Sequence, residues 1–202
     1  MKQYQFDAYD DYLEAQKTVT RRKVANPNGR CFTSPLMMDL IAENQSSIAL
    51  VQHGCCHGVR RGEELQMLED RLGGHWVGTE VLEELCDGKR VLHHDFTSPK
   101  PEWVGLFDVV YSNSLDHSIS PLITLRTWLG SLATDTGRLY VEWTPWHDKL
   151  GKKHNRADCF AASLTEYNEM LTSVGCVERI LVVDEGRYRR HVFVIKSNVD
   201  VV

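Results

Sequence analysis

The sequence predicts an α/β fold in which seven strands form a mostly parallel sheet with helices on both faces. Two observations support this prediction. From residue 47 onwards, short runs typical of strands alternate with stretches of helical periodicity, and the last two runs flank the turn Asp184-Glu185-Gly186. The alternation is typical of parallel strands joined by crossover helices, and the closing hairpin adds an antiparallel C-terminal strand. A chain of 202 residues fits one such domain.

The predicted elements follow one another in a regular order. Strands are predicted at 47–53, 75–80, 90–94, 107–113, 137–143, 177–183 and 191–196. Helices are predicted at 63–72, 81–86, 121–132 and 164–174. The first strand is placed on Ile48-Ala49-Leu50-Val51, because a continuous apolar run is typical of a strand that is buried on both faces.

The first 46 residues have a different character. Loosely spaced apolar residues predict a helix at 6–20, and Asn26-Pro27-Asn28-Gly29 is a strong turn signal. A second helix is expected to begin after Ser34, with Pro35 at its first position, and to run to about residue 44. We therefore expect a helical extension at 1–46 that covers the pocket of an α/β domain at 47–202.

The composition excludes several classes of protein. It is 42% hydrophobic, 25% charged and 9% aromatic, which excludes collagen and extended disorder. The net charge of −5 argues against a protein that coats nucleic acid, and no apolar run reaches the roughly 18 residues of a membrane span. The six cysteines form no C-x-x-C pair, so reduced thiols in the cytoplasm are expected, without a cysteine zinc site. The oligomeric state stays open.

The segment after the first predicted strand carries the most specific signal. It contains Gly54, Cys55, Cys56 and Gly58, and small residues here allow a tight turn and a close approach to a ligand. A dinucleotide fingerprint would need glycines at 54, 56 and 59, where the last two positions hold Cys56 and Val59. The Gly-Lys-Ser/Thr of a phosphate-binding loop is also absent.

This segment resembles motif I of the class I S-adenosylmethionine-dependent methyltransferases, a strand followed by acidic-x-G-x-G-x-G. Gly54 and Gly58 match the outer glycines of the motif, Cys56 replaces the middle one, and Gln52 stands where the acidic residue is usual. The resemblance implies a Rossmann-like fold and S-adenosylmethionine as the cofactor. A generic glycine-containing turn between a strand and a helix explains the loop equally well.

Later landmarks strengthen the resemblance, and their order covers residues 47–197. At the end of the second strand, Glu80 matches the position to which the family assigns the ribose hydroxyls; alternatively it is an acid at a helix start. After the third strand, Asp95 and Phe96 match the residues that meet the adenine, or else they are a solvated loop acid beside a packed ring. The resemblance thus implies these cofactor-binding residues: Gly54, Cys55, Cys56, Gly58, Glu80, Asp95, Phe96, Ser112 and Asn113.

Candidate catalytic residues follow the fourth predicted strand. Methyl transfer is an in-line displacement, so the protein must align the nucleophile and, when needed, remove its proton. Asp116 and His117 are the candidates, with the imidazole as general base, although the pair could instead orient its loop. Trp143 and Trp146 either wall a pocket for a flat substrate or pack in the core. The basic stretch at 149–156 is either a solvated loop or a guide for an anionic substrate.

Several subclasses of the family are disfavoured. No metal site is predicted: ligand-type side chains occur in these loops, but the Asp-Asn pair that metal-dependent catechol-type members carry after the fifth strand is absent. Ser112-Asn113 stands where nucleic-acid 2′-O-methyltransferases carry the Asp of their tetrad. The Asn/Asp-Pro-Pro-Tyr signature of amino-group methylation is also missing. Nucleic acid is therefore not the favoured substrate.

The function that the sequence favours is methyl transfer from S-adenosylmethionine to an unidentified small-molecule or macromolecular acceptor. Gln52 and Cys56 favour an alternative, a non-catalytic cofactor-binding or interaction subunit on the same fold. A third alternative is a different nucleoside-binding enzyme. Because the chain has no room for a separate recognition domain, we expect acceptor specificity to come from the extension and from the loops after the fourth and fifth strands.

Overall fold

The computed structural model describes residues 1–26, 32–149, 157–186 and 189–198. Its main sheet has seven strands: β2 (His53–His57), β3 (His75–Glu80), β4 (Val91–His93), β5 (Val109–Ser112), β6 (Arg138–Trp143), β8 (Cys176–Asp184) and β9 (Arg189–Lys196). The order across the sheet is β4-β3-β2-β5-β6-β9-β8, and β9 is antiparallel to both of its neighbours. The other pairings are parallel, which confirms the predicted α/β class and the closing hairpin.

Five helices surround the sheet: α1 (Tyr9–Ala25), α2 (Pro35–Ser46), α3 (Glu63–Leu72), α4 (Pro121–Gly130) and α5 (Leu164–Thr172). Ser34 caps α2 as predicted, with its hydroxyl accepting a hydrogen bond from the backbone of Met37. A separate two-stranded pairing, which the sequence did not indicate, joins β1 (Lys2–Gln3) to β7 (Phe160–Ala161). Within the described residues, no helix is both long enough and apolar enough to cross a bilayer.

The core lies on both faces of the sheet. Leu125 and Trp128 of α4 pack with Tyr167 of α5 in one buried cluster. Ile41 of α2 and Leu65 of α3 belong to a second cluster, and the two clusters receive alternate side chains of the strands. Burial on both faces explains why the central strands β5 and β6 could be found from their apolar content. It also leaves the carboxyl ends of the parallel strands as the edge at which a ligand can bind.

The predicted first strand at 47–53 is wrong. The chain turns after α2, Leu50 is 90% exposed, and the strand begins at His53. The carboxylate of Asp108 fixes this start, because one of its oxygens accepts hydrogen bonds from the backbone N–H groups of Gln52 (2.7 Å) and His53 (3.0 Å). The apolar run therefore follows a helix, and the strand is built from smaller residues.

Close packing explains those small residues. A Cβ atom at Gly54 would lie 2.4 Å from the ring of Trp76, on the neighbouring strand. Cys55 and Cys56 are fully buried, one in each core cluster. The strand is thus shaped to fit beneath an indole and between two helical layers, which makes its apolar content low.

Candidate functional site

A cleft opens at the carboxyl ends of β2, β3, β4 and β5, and α1 lies across it. With α1 in place the remaining cavity is about 40 Å³, well below the roughly 300–1,000 Å³ of small-molecule sites, so α1 fills most of the cleft. The strand ends contribute Gly58, Arg60, Glu80, Val81, His94, Asp95, Phe96, Ser114 and His117. Helix α1 contributes Tyr12, Gln16 and Thr20 from one of its faces.

The loop between β2 and α3 forms one wall of the cleft. Gly58 has φ of +75°, and a Cβ atom there would come within 2.8 Å of Ser114, so only glycine fits without strain. Arg60 and Gly62 also adopt positive φ, of 50° and 77°. Three left-handed residues in five turn the chain sharply and bring its backbone close to the cleft.

The carboxylate of Glu80 lies at the end of β3, next to this loop. Its Oε1 accepts hydrogen bonds from the backbone N–H groups of Val81 (2.8 Å) and Leu82 (3.0 Å). Burial raises the pKa of Glu80, and these hydrogen bonds and the charge of Arg60 oppose that rise. The carboxylate therefore orders its own loop, as an acid at a helix start would, and also lines the cleft.

Asp95 and Phe96 follow β4 and form the opposite wall. Asp95 Oδ1 accepts a hydrogen bond from the backbone of Thr97 at 2.9 Å, and Oδ2 accepts one from the hydroxyl of Tyr9 on α1. Burial raises the pKa of Tyr9 to about 12, with a further contribution from Asp95. The Phe96 ring stands edge-on to Trp128, with the centroids 5.5 Å apart. An aromatic ring thus lies beside a carboxylate that accepts a hydrogen bond from α1.

The structure places the remaining predicted cofactor residues beneath the cleft. Gly54, Cys55 and Cys56 lie inside β2, and burial raises the pKa of both thiols. The hydroxyl of Ser112 donates to the carbonyl of His57 at 3.1 Å, and the amide of Asn113 donates to the hydroxyl of a threonine at 3.0 Å. None of these five residues lines the cleft, and Ser114 takes that position instead.

The predicted catalytic pair belongs to a larger group that we name the His117 cluster: Asp116, His117, His147 and Asp158. His117 Nε2 is 3.5 Å from Asp158 Oδ1 and 4.0 Å from Asp116 Oδ1, and His147 Nε2 is 3.8 Å from that same Asp116 oxygen. Asp116 and His117 form a short 3₁₀ turn after β5, and His147 lies in another after β6. The turns after two adjacent strands therefore place these side chains together.

Burial sets the charges of the His117 cluster. It lowers the pKa of His117 well below its usual value, and the charges of Lys23 and Arg60 lower it further. It raises the pKa of Asp116 to about 8, with a further contribution from the charge of Asp158. At neutral pH the imidazole is therefore neutral and a weaker base than an exposed histidine, and one ring nitrogen keeps a lone pair that can bind a cation.

The two tryptophans have different environments. Trp143 is buried in the core, and its indole N–H donates to the carbonyl of Ala162 at 3.0 Å. Trp146 is 66% exposed, with the ammonium of Lys149 6.0 Å from its ring centre. The first is thus a core residue, whereas the second is available at the surface. The rest of the basic stretch, 150–156, lies outside the described residues.

The sequence predicted that the N-terminal extension covers the pocket, but it did not identify which α1 residues line the cleft, and it missed Asp158. Tyr12, Gln16 and Thr20 recur every fourth residue, so their common face could have been identified from spacing. No spacing signal points to Asp158, because only the fold brings it to His117. Arg60, His94 and Ser114 also line the cleft, each within two residues of a predicted site residue.

Comparisons with known proteins support the fold. No protein-family model and no curated protein matches the sequence. Among solved structures, the chain is similar to the 1,6-didemethyltoxoflavin-N1-methyltransferase of Burkholderia thailandensis with bound S-adenosylhomocysteine, at 12% identity and a TM-score of 0.70, over 96% of this chain and 92% of that one. It is similar to the N-methyltransferase NodS of Bradyrhizobium japonicum in complex with S-adenosylhomocysteine, at 13% identity and 0.64, over 91% and 98%.

A third similar structure carries a different description, a putative Zn-dependent alcohol dehydrogenase of Rhodobacter sphaeroides. It is 12% identical, with a TM-score of 0.69 over 95% of this chain and 100% of that one. At such identities the likeness concerns the fold and not the activity. The chain thus has the Rossmann-like α/β fold of the class I S-adenosylmethionine-dependent methyltransferases.

Proposed function

We propose that the chain is an S-adenosylmethionine-dependent methyltransferase that binds its cofactor in the cleft beneath α1. The observation that carries the proposal is the meeting of Gly58, Glu80 and Asp95 in one cleft at the ends of three adjacent strands. The close approach of Gly58 to Ser114 leaves room for a ligand only while position 58 lacks a side chain. The residues present fit a nucleoside that carries an amino-acid tail.

Each part of the cofactor has a chemical counterpart in the cleft. The buried carboxylate of Glu80 is suited to accept hydrogen bonds from ribose hydroxyls. The Phe96 ring and the neighbouring Asp95 suit the face and the amino group of adenine. The cationic side chain of Arg60 also lines the cleft and suits the carboxylate of the methionyl tail. The polar loop that begins at Gly58 would then hold the middle of the molecule.

The His117 cluster forms the end of the cleft at which we expect the acceptor. Bound S-adenosylmethionine supplies an electrophilic methyl group, so the chain has to orient the acceptor and to manage its proton. His117 lines the cleft and is neutral, and Asp116 lies behind it. These residues are therefore the proposed catalytic pair, as the sequence predicted. The acceptor is a small molecule or an exposed group of a macromolecule.

Residues 1–46 serve in this proposal as a lid on the domain at 47–202. Helix α1 spans the cleft, because Tyr9 donates a hydrogen bond to Asp95 at one end and Gln16 contacts His117 at the other. A ligand the size of the cofactor would have to enter past this helix. The two residues that favoured a non-catalytic subunit, Gln52 and Cys56, lie outside the cleft lining.

The first test is a calorimetric titration of the protein with S-adenosylhomocysteine, the product of methyl transfer. We expect saturable binding, and a free energy of unfolding that rises by about 2.7 kcal/mol at a ligand concentration of 100 Kd. Glu80→Gln should weaken binding by about 10-fold or more, because it removes a charge-assisted hydrogen bond. The exposed neighbour Glu83 supplies the matched control, Glu83→Gln, which should leave the affinity unchanged. A wild-type protein that binds no cofactor at millimolar concentration would refute the proposal.

A second titration tests the proposed orientation of the cofactor, with its amino-acid tail at Arg60. The ligand 5′-methylthioadenosine has the adenine, ribose and sulfur but lacks the amino acid. We expect Arg60→Gln to weaken the binding of S-adenosylhomocysteine by about 10-fold, because a charged contact is lost, and to leave the binding of 5′-methylthioadenosine within about twofold. Equal losses for both ligands would place Arg60 at the nucleoside instead of the tail.

A further inference from the structure

The His117 cluster has the geometry of a metal-binding site. One ligand atom each from Asp116, His117 and Asp158 can be chosen so that all three lie within 4.8 Å of one another. The imidazole Nε2 is 3.5 Å and 4.0 Å from the two carboxylate oxygens. Ligands that stand about 2.1 Å from a common cation are about 3.0–4.2 Å apart. The two imidazole–carboxylate distances lie in this range, and the two carboxylate oxygens, which are within 4.8 Å of each other, need at most a small movement to share an ion.

A hydrogen bond from outside the group fixes the tautomer of His117. The amide nitrogen of Gln16 donates to the carbonyls of His117 (3.2 Å) and Ala157 (3.0 Å), which identifies the other amide atom as the oxygen. That oxygen is 2.8 Å from His117 Nδ1, so Nδ1 carries the proton and donates it. The lone pair of Nε2 then faces the two aspartates. Metal-binding histidines are held in the same way, by an acceptor at the nitrogen that does not bind the metal.

The carboxylate oxygen of Asp116 that faces this lone pair has no hydrogen-bond partner. Oδ1 is buried and accepts no hydrogen bond among the described residues. His147 Nε2 is 3.8 Å away, which is too long for a hydrogen bond. His147 Nδ1 accepts from the backbone N–H of Thr144 at 3.1 Å, so Nε2 carries the proton and cannot bind a cation itself. A buried carboxyl oxygen without a hydrogen-bond partner is costly, and a bound cation would displace the proton of Asp116 and satisfy the oxygen.

No described side-chain cation fills this role. Lys23 and Arg60 act on the charges of the cluster, but each places its cationic group 5.7 Å from the centre of the Phe32 ring. Neither forms an ion pair within 4 Å with Asp116 in the part of the chain that the structure describes. Among the described residues, these two cations therefore act on the cluster at a distance and do not pair with Asp116 Oδ1.

We propose that Asp116, His117 and Asp158 bind one divalent cation of the Mn²⁺ or Zn²⁺ class. Two carboxylates and an imidazole suit these ions, whereas Mg²⁺ and Ca²⁺ prefer oxygen ligands alone. Three protein ligands leave coordination positions open. Because His117 also lines the cleft, the bound ion would lie beside the end of the cleft at which the acceptor is proposed to bind.

The test uses metal-free protein titrated with MnCl₂, and separately with ZnCl₂, by calorimetry. We expect one ion per chain, and at least 30-fold weaker binding in Asp116→Asn and in Asp158→Asn. The matched control is Asp148→Asn, an exposed aspartate one residue after His147, whose affinity should stay within twofold of wild type. Gln16→Ala should weaken binding by about 10–100-fold, because it removes the acceptor that orients His117.

Pulsed electron paramagnetic resonance of bound Mn²⁺ adds a readout of ligand identity. We expect a directly bound nitrogen in the wild type and its loss in His117→Gln. Circular dichroism of each metal-free variant checks that it is folded, and any one folded variant of the three ligands suffices for the test. A wild type that binds no metal at millimolar concentration, or ligand variants that bind as tightly as wild type, would overturn the proposal. Titration of metal-free protein with S-adenosylhomocysteine tests the cofactor cleft independently.

Discussion

Two buried ionic clusters lie beside each other at the ends of β5 and β6, and they are satisfied to opposite degrees. In the first, which we name the Glu142 network, Glu142 accepts hydrogen bonds from the hydroxyl of Tyr111 (3.0 Å) and from Arg190, and Arg190 also donates to Glu185 at 2.8 Å. In the His117 cluster, by contrast, Asp116 Oδ1 has no donor among the described residues. Both clusters are largely buried, so burial alone does not separate them.

The difference indicates different uses. Each charge of the Glu142 network has a partner of opposite sign, and nothing in it points to a ligand. In the His117 cluster, Asp116 Oδ1 lies beside two neutral imidazoles without a donor among the described residues, and the cluster lies against the cleft. Buried polar groups are normally paired, and the exceptions concentrate where a protein binds something. The difference supports a structural role for the first cluster and the ligand-binding role proposed above for the second.

The largest effect should come from breaking the satisfied cluster. Glu142→Gln removes the charge that faces Arg190 and leaves a buried guanidinium without its principal partner. We expect a loss of about 3–5 kcal/mol in the free energy of unfolding, measured by urea denaturation at pH 7. The exposed pair between Asp184 and Arg189, at 3.2 Å, supplies the control, because Asp184→Asn should cost less than about 1 kcal/mol.

The losses of stability from Glu142→Gln and Asp184→Asn can contradict the distinction between the two clusters. A loss from Glu142→Gln as small as that from Asp184→Asn would show that the buried network contributes no more than a surface pair. Its tight hydrogen bonding would then be incidental to folding, and the distinction between the two clusters would fail.

The second prediction concerns Asp116 and the pH dependence of the free energy of unfolding. Burial, and then the charge of Asp158, raise its pKa from 3.8 to about 8, so the folded protein retains this proton at neutral pH. Unfolding between these values releases the proton. The stability that Asp116 contributes is therefore present at low pH and lost as the pH rises towards 8, by up to about 1.4 kcal/mol per pH unit.

The measurement is urea denaturation of metal-free protein from pH 6.5 to pH 8, with wild type compared against Asp116→Asn. We expect a falling stability in the wild type that is absent from the variant. Below pH 6.5 the buried histidines contribute the opposite slope. Burial lowers the pKa of His147 to about 4, so its stability is lost as the pH falls. Parallel profiles for the two proteins would show that Asp116 is already ionised in the fold.

Much of the fold could be predicted because its signals are local. Helix α3 and strand β3 occupy the predicted residues 63–72 and 75–80, since an amphipathic repeat and a β-rich run each identify their element without reference to the rest of the chain. Strand β2 could not be predicted in this way. Its position depends on the carboxylate of Asp108 and on the indole above Gly54, both of which come from other strands.

The residues of the candidate site also differ in whether local sequence signals could predict their placement. Gly58, Glu80 and Asp95 stand at strand ends, so a correct strand order was enough to bring them to one cleft. The environment of His117 depends on Gln16, which is 141 residues before the Ala157 whose carbonyl it binds. No spacing rule connects residues that far apart, and for that reason the metal-type geometry could not be seen in the sequence.

The smallest predicted effect concerns helix α1, which covers the cleft beside the His117 cluster. Helix α1 reaches from Asp95 to His117, and its first turn is held by the half-exposed hydroxyl of Tyr9. Tyr9→Phe should lower the free energy of unfolding by less than about 1 kcal/mol, because a single partly exposed hydrogen bond is lost. Hydrogen exchange should nevertheless accelerate in the first turns of α1 and stay unchanged in β6, which carries Glu142. Equal acceleration in both places would mean that α1 is part of the global folding unit, and the cleft would then need another route of entry for its ligand.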